Sequence, residues 1–257
     1  MVDFIDIETA DRILTIRLDR PDKKNAITMA MYQTMADQLR AAADNPDIRV
    51  VILTGAGDCF TSGNDLHDFL NHGLAGGDMA DRPVIRFLKE IATFPKPLMA
   101  AVNGPAVGIG VTLLLHCDLI YMVREAPLQM PFVNLALVPE AASSLLLPKL
   151  AGHHKAAELF LLGDAFSAEE AAGLGLVTDI CFPADLMEKT FAVARKLAAK
   201  PPEALRRTKA LMKSDGSATL AAIEAETRLF AEQLQTPEAR EAMQAFLEKR
   251  PPDFSKF

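Results

Sequence analysis

Cysteine is scarce in this chain: Cys59, Cys117 and Cys181 are the three among 257 residues. They are widely spaced, form no CxxC pair and leave one over, which excludes a disulfide framework and a cysteine zinc site and reads as buried reduced thiols. Basic charge is also short, since 27 Lys and Arg against 34 Asp and Glu leave a net charge of -7. That excludes a broad nucleic-acid surface, so an anionic ligand has to be held by a local site. The opening MVDFIDIETADRI lacks the basic and apolar regions of a secretory leader, and a cytoplasmic protein is expected. No apolar run is long enough for a membrane span: Pro97 to Val123 is broken by Asn103-Gly104-Pro105 and Asp118 and parses as strand, glycine turn and helix. His67, His72, His116, His153 and His154 show no HExxH or facial-triad spacing, so no metal is expected.

What is present is a repeating alternation of strand and helix. Leu14, Ile16 and Leu18 alternate with polar residues, and Phe4, Ile5 and Ile7 supply a hairpin partner. Met31, Met35 and Leu39 recur at helical spacing after Thr28, a good N-cap, and the helix closes at Asp44-Asn45-Pro46. Val50 to Thr54 is a continuous apolar run, as in a strand buried on both faces. The cycle then repeats with a helix from Pro83 to Thr93, a strand from Leu98 to Val102, a helix after Gly108 and a strand from Leu119 to Met122, which predicts parallel strands. After Glu140 helical patterns dominate: Ala141 to Leu150, His154 to Leu162, a capped start at Ser167, and Leu186 to Ala199, interrupted by one strand, Leu176 to Ile180. From Pro201 onward only helices are expected, at Glu203 to Lys213, Ala218 to Leu234 and Pro237 to Leu247.

Two loops follow buried strands and lead toward helices, where main-chain N–H groups lack partners: Thr61-Ser62-Gly63-Asn64-Asp65-Leu66 and Asn103-Gly104-Pro105-Ala106-Val107-Gly108-Ile109-Gly110. Neither matches GxGxxG or a P-loop, and glycine turns taken alone are usually structural. Together with Arg20-Pro21-Asp22-Lys23-Lys24-Asn25-Ala26, Val51 to Leu66, Cys117-Asp118 and Leu174-Gly175-Leu176-Val177, however, the chain resembles the enoyl-CoA hydratase/isomerase (crotonase) family over nearly its whole length.

The resemblance implies an α/β fold, a crotonase-like spiral of ββα units over residues 1-195, with a C-terminal all-helical segment, 196-257, acting as lid or trimerisation arm. It implies a homotrimer or dimer of trimers, an acyl-CoA thioester as substrate, and no cofactor beyond the coenzyme A carried by that substrate. The main-chain amides of Asn64 and Ile109 would form the oxyanion hole. Lys24, Ala26 and Ser62 would contact the coenzyme A moiety, although a lysine beside a turn is commonly just solvated.

Hydratases of the family place water between two glutamates, and the matching positions here hold Thr112 and Phe132. A carboxylate comes later, in Leu137-Val138-Pro139-Glu140-Ala141-Ala142-Ser143-Ser144, which resembles the Pro-Glu-Gly-Cys-Ser-Ser-type segment of peroxisomal-type Δ3,Δ2-enoyl-CoA isomerases. That likeness implies Glu140 as the sole base. Its bland alternative is a Glu favoured at a helix N-terminus. Asp65 reads as a helix cap, and Thr112 as bonded within its helix or touching the acyl chain. A different crotonase reaction, or a non-catalytic acyl-CoA-binding protein, stays open. A Glu140 side chain pointing to solvent would favour binding alone.

Overall fold

The computed structural model describes residues 4–68 and 82–257. The chain begins as a hairpin of β1 (Ile5–Ala10) and β2 (Ile13–Leu18), turned by Asp11 and Arg12, both at positive φ (52° and 65°). α1 (Met29–Asp44) starts where the Thr28 side chain accepts from Met31 N, as its sequence suggested. β3 (Val50–Gly55) is buried along its whole length, as a continuous apolar run requires. A single turn, α2 (Leu66–Asp68), precedes α3 (Pro83–Thr93), β4 (Leu98–Val102), the short β5 (Ala106–Val107) and α4 (Ile109–Thr112). Then come β6 (Leu119–Val123), β7 (Leu128–Gln129), α5 (Ser143–Ala151), α6 (His153–Leu162), β8 (Ala165–Phe166), α7 (Ala168–Gly173), β9 (Asp179–Cys181) and α8 (Leu186–Ala198).

The main sheet has the order β1-β2-β3-β4-β6-β9, with β1 antiparallel and the other pairs parallel. A second layer holds β5-β7-β8 and two isolated parallel bridges, Ile27↔Asn64 and Thr61↔Ala106. Successive units thus give a long strand to one sheet and a short extended piece to the other layer before turning into a helix. This is the expected spiral of ββα units.

The last strand differs from expectation. Leu176 and Val177 were read as strand, but both amides donate to Ala171 O, capping α7 through Gly175 at φ 81°. Pairing with the sheet therefore begins only where Thr178 N reaches Ile120 O, and β9 runs Asp179–Cys181. The start of α7 follows its sequence, since Ser167 and Glu170 form a reciprocal capping box.

Of the C-terminal helices α9 (Pro202–Met212), α10 (Gly216–Gln233) and α11 (Pro237–Leu247), the last two share the hydrophobic core through Ile223, Phe230, Ala239 and Met243. α10 packs on α3 and α5. α9 is stapled by Lys209, whose buried ammonium donates to Lys96 O and Asp118 Oδ2, both at 2.6 Å, while Asp118 Oδ2 also accepts from Leu98 N at 2.7 Å. Among the described residues no helix is long and apolar enough to cross a membrane.

Candidate active site

The two glycine loops lie at the carboxyl ends of β3 and β4, where parallel sheets bind ligands. They are tied together: Val107 N donates to Thr61 O (3.0 Å) and Thr61 N to Pro105 O (3.2 Å). Ile27 N bonds Gly63 O and Asp65 N bonds Ile27 O, so the amides on either side of Asn64 N are committed to the loop. Gly63 stands at φ 93°, and the Cβ of any other residue there would lie 3.0 Å from Val107 O. Gly108, at φ 56°, begins α4; its N–H goes to Gln129 O and its carbonyl accepts from Val111 N and Thr112 N. Among the described residues neither Asn64 N–H nor Ile109 N–H has an acceptor.

Glu140 stands in the same cavity as Asn64, between apolar walls from Val84, Ile85, Leu88 and Phe230. Its side chain is buried and not turned to solvent. Burial pushes its carboxyl up to about 8; the Thr112 hydroxyl, which donates to it, pulls the other way, and the nearby Glu226 charge adds to the rise. Thr112, fully buried, thus bonds Glu140 and not its own helix. Phe132 is buried with its ring 6.5 Å from that of Phe160. Neither residue is an acid or base of the strength that activating a water molecule requires.

Four groups around Glu140 were not among the residues expected at the site. Tyr32, wholly buried and 5.4 Å from the Phe87 ring, donates from its hydroxyl to Asn64 Oδ1 at 2.5 Å. Burial, then the Glu140 charge, raises its pKa well above 10, so it stays a donor. Ala141 and Ala142 adopt φ of 61° and 56°, two consecutive left-handed residues directly behind Glu140. Such a pair costs about 1–2 kcal/mol per residue and must be held by its surroundings. Glu226 on α10 is the fourth group: it accepts from Ala142 N (2.6 Å), Ser144 N (3.0 Å) and the Ser144 hydroxyl. Its signal was available, for Glu226 interrupts the buried stripe of Thr219, Ile223, Thr227 and Phe230. A carboxylate on a buried helix face needs partners.

His116, which the sequence placed in the core or at an interface, is buried with Nε2 2.8 Å from Ala141 O. Burial lowers its pKa to about 4, so the ring is neutral at ordinary pH, and Nε2 carries the proton because a carbonyl can only accept. Asp65 behaves as the expected cap: its Oδ1 accepts from Asp68 N (3.1 Å) and its Oδ2 pairs with Arg20 (2.7 Å). Burial opposes its ionisation, but these bonds prevail and hold it below the usual carboxylate range.

Lys24, Ala26 and Ser62 meet at the rim of the first loop. Ser62 N donates to Lys24 O at 2.9 Å, Lys24 is exposed, and the Ala26 carbonyl is taken by Arg20. His72 lies outside the described residues. Among the described residues no three His, Cys, Asp or Glu side chains stand close enough to hold a metal.

A larger cleft, of about 430 Å³, opens at the opposite end of the strands, between Pro46, Arg49, Lys96, Lys200 and Arg206. Its Lys96 ammonium is occupied in closing α1 and the loop after it, donating to Ala42 O, Asn45 O and Ile48 O. Its carboxylates, Asp44 and Glu203, stand among Arg49, Lys96, Lys200 and Arg206, unlike Glu140 between its apolar walls.

The family model described as Enoyl-CoA hydratase/isomerase matches residues 8–256. The chain is 40% identical over 245 residues to enoyl-CoA delta isomerase 2 of Rattus norvegicus, covering 93% of this chain but only 62% of that longer protein. It is 34% identical over 250 residues to 2,3-dehydroadipyl-CoA hydratase of Escherichia coli (strain K12), covering 96% of this chain and 97% of that one. Among solved structures, an enoyl-CoA hydratase/isomerase from Pseudoalteromonas atlantica T6c superposes with a TM-score of 0.93 at 39% identity, covering 98% of this chain and all of that one. OdaA of Pseudomonas aeruginosa gives a TM-score of 0.91 at 48% identity, covering 95% and 99%.

Proposed function

Because the chain belongs to the enoyl-CoA hydratase/isomerase family, we propose that this acyl-CoA enzyme shifts the double bond of a 3-enoyl-CoA to give the 2-trans-enoyl-CoA. The observation that carries the reading is that Glu140 is, among the described residues, the one carboxyl lining the cavity beside Asn64. One base is enough for a 1,3-proton shift. Glu140 takes a proton from C2, the electron pair spreads over a dienolate, and the protonated acid returns the proton at C4.

The dienolate charge rests on the thioester oxygen, which the free N–H groups of Asn64 and Ile109 would hold. A preorganised donor of this kind contributes about 3 kcal/mol. Lys24, Ala26 and Ser62 would receive the coenzyme A portion at the rim, and coenzyme A enters as part of the substrate, with no resident cofactor. Exposed Leu211, Met212, Phe246 and Leu247 on the C-terminal helices support assembly into a trimer or a dimer of trimers. The enzyme would work in the cytoplasm.

A hydratase reading draws on the likeness to the Escherichia coli dehydroadipyl-CoA enzyme. Against it stand Thr112 and Phe132, which offer no second acid or base. Purified protein supplied with 3-enoyl-CoA and, separately, 2-enoyl-CoA of several chain lengths decides between them. Isomerisation is expected to dominate throughout; efficient addition of water to the 2-enoyl thioesters would overturn the proposal.

A further inference from the structure

The geometry points to Glu226 as a positioning residue that holds the Glu140 carboxyl over the cavity by fixing the turn behind it. The inference rests on the proposed role of Glu140 as base. Ala141 and Ala142 are both left-handed, a conformation that alanine does not hold unaided. Two groups grip this turn from opposite sides. His116 Nε2–H bonds Ala141 O at 2.8 Å. The Glu226 carboxylate takes Ala142 N at 2.6 Å on Oε2, and Ser144 N at 3.0 Å with the Ser144 hydroxyl on Oε1. Those two amides open α5, where a carboxylate is the favoured acceptor. Glu226 does not line the cavity; it acts through the backbone on either side of Ser143.

Its charge has a second effect. Glu226 is buried, and the burial that raises its own pKa is opposed by the bonds from Ser144 and Ala142. Ionised, it raises Glu140 further. Among the described residues, no cation on the surrounding elements pairs with it. Tyr32 on α1 and His116 beyond α4 are uncharged, and Lys213 on α9 is turned to His116 O. Lys209 is turned to Asp118, Lys89 on α3 to Glu224, and Lys149 on α5 to Asp215. Glu226 therefore fixes the direction of the base and adds to the proton affinity that burial gives it, from a helix that otherwise packs as core.

The test compares wild type with Glu226→Gln and Glu226→Ala, each checked for native circular dichroism. Glutamine keeps one carbonyl oxygen, so one of the two amides loses its acceptor and meets an NH2 group. In Glu226→Gln, kcat for isomerisation is expected to fall about tenfold with KM nearly unchanged, and Glu226→Ala to lose about 10²-fold. The Glu140 titration, followed by carbon-13 NMR of the free protein with Glu140→Gln fixing the assignment, is expected to move to lower pH in Glu226→Gln. A merely structural residue would lower the folded fraction without moving that midpoint. If folded Glu226→Gln keeps either its kcat or its Glu140 midpoint, the positioning role is overturned. A wild-type protein that moves no double bond sinks the proposed reaction instead, and the titration alone then decides the fate of Glu226.

Discussion

One half of the site is main-chain amides, at Asn64, which lines the cavity, and at Ile109, each following a glycine at positive φ. The other half is the Glu140 carboxyl with the side chains behind it, Thr112 and Glu226, drawn from three separate stretches of the chain. The first half depends on backbone shape and is indifferent to most side-chain identities. The second depends on identity at every position, and it works against stability, because a carboxyl buried with a like charge nearby is unfavourable once ionised. A site of this design keeps its main-chain amides through many substitutions while its side-chain chemistry changes with a few.

The largest expected effect tests the side-chain half. Glu140→Gln keeps the shape but accepts no proton, so isomerisation should fall at least about 10²-fold, measured as kcat on 3-enoyl-CoA. The same variant should be the more stable protein in alkali. The Glu140 pKa is raised in the fold from an ordinary 4.5 to about 8. Between those values the unfolded chain binds fewer protons than the folded one, so this group's contribution to stability is full below 4.5 and lost as pH rises towards 8. Glutamine has no such loss. Thermal melts of the two proteins should diverge in favour of Glu140→Gln across that window; parallel curves would show that the carboxyl is not buried as described.

A smaller effect is expected on the amide half, and it separates strain from crowding. Gly63→Ala meets both, since its Cβ falls 3.0 Å from Val107 O at φ 93°, whereas Gly108→Ala has open space at φ 56° and meets strain alone. Strain of about 1–2 kcal/mol corresponds to roughly a tenfold loss of kcat/KM for Gly108→Ala, with Gly63→Ala lower still. Equal losses, or none, would break the contrast between the halves. The smallest effect should come from Thr112→Val. It removes the hydrogen bond that holds the Glu140 pKa down, so the acid limb of the pH–rate profile should move to higher pH. Activity lost near neutrality should return in alkali; a loss independent of pH would show that Thr112 serves the substrate and not the base.

The division between the halves also governs how much could be read beforehand. The amide half is written in local chemistry, buried strand then glycine, and the segments that follow a single period were legible to the residue: Pro83–Thr93, Leu98–Val102 and Pro237–Leu247. The side-chain half depends on long-range pairing. Thr112 and Glu140 are separated by 28 residues, and Glu226 lies 84 beyond Ala142, so no window of sequence contains both partners. Glu140 was found only by likeness to a known segment. The left-handed Ala141–Ala142 pair left no trace, because alanine is the last residue whose composition would announce such a conformation.

The position of Glu226 and Phe230 in the last third of the chain has a consequence for the order in which the enzyme is made. Synthesis runs from the N-terminus, and the sheet, both glycine loops and Glu140 are complete before α10 leaves the ribosome. A nascent chain at that stage has the amides and the carboxyl, but neither the wall formed by Phe230 nor the Glu226 carboxylate that grips the turn behind Glu140. The surroundings of the Glu140 carboxyl are therefore completed late, when the final helices dock, and the growing polypeptide carries an unfinished cavity until then.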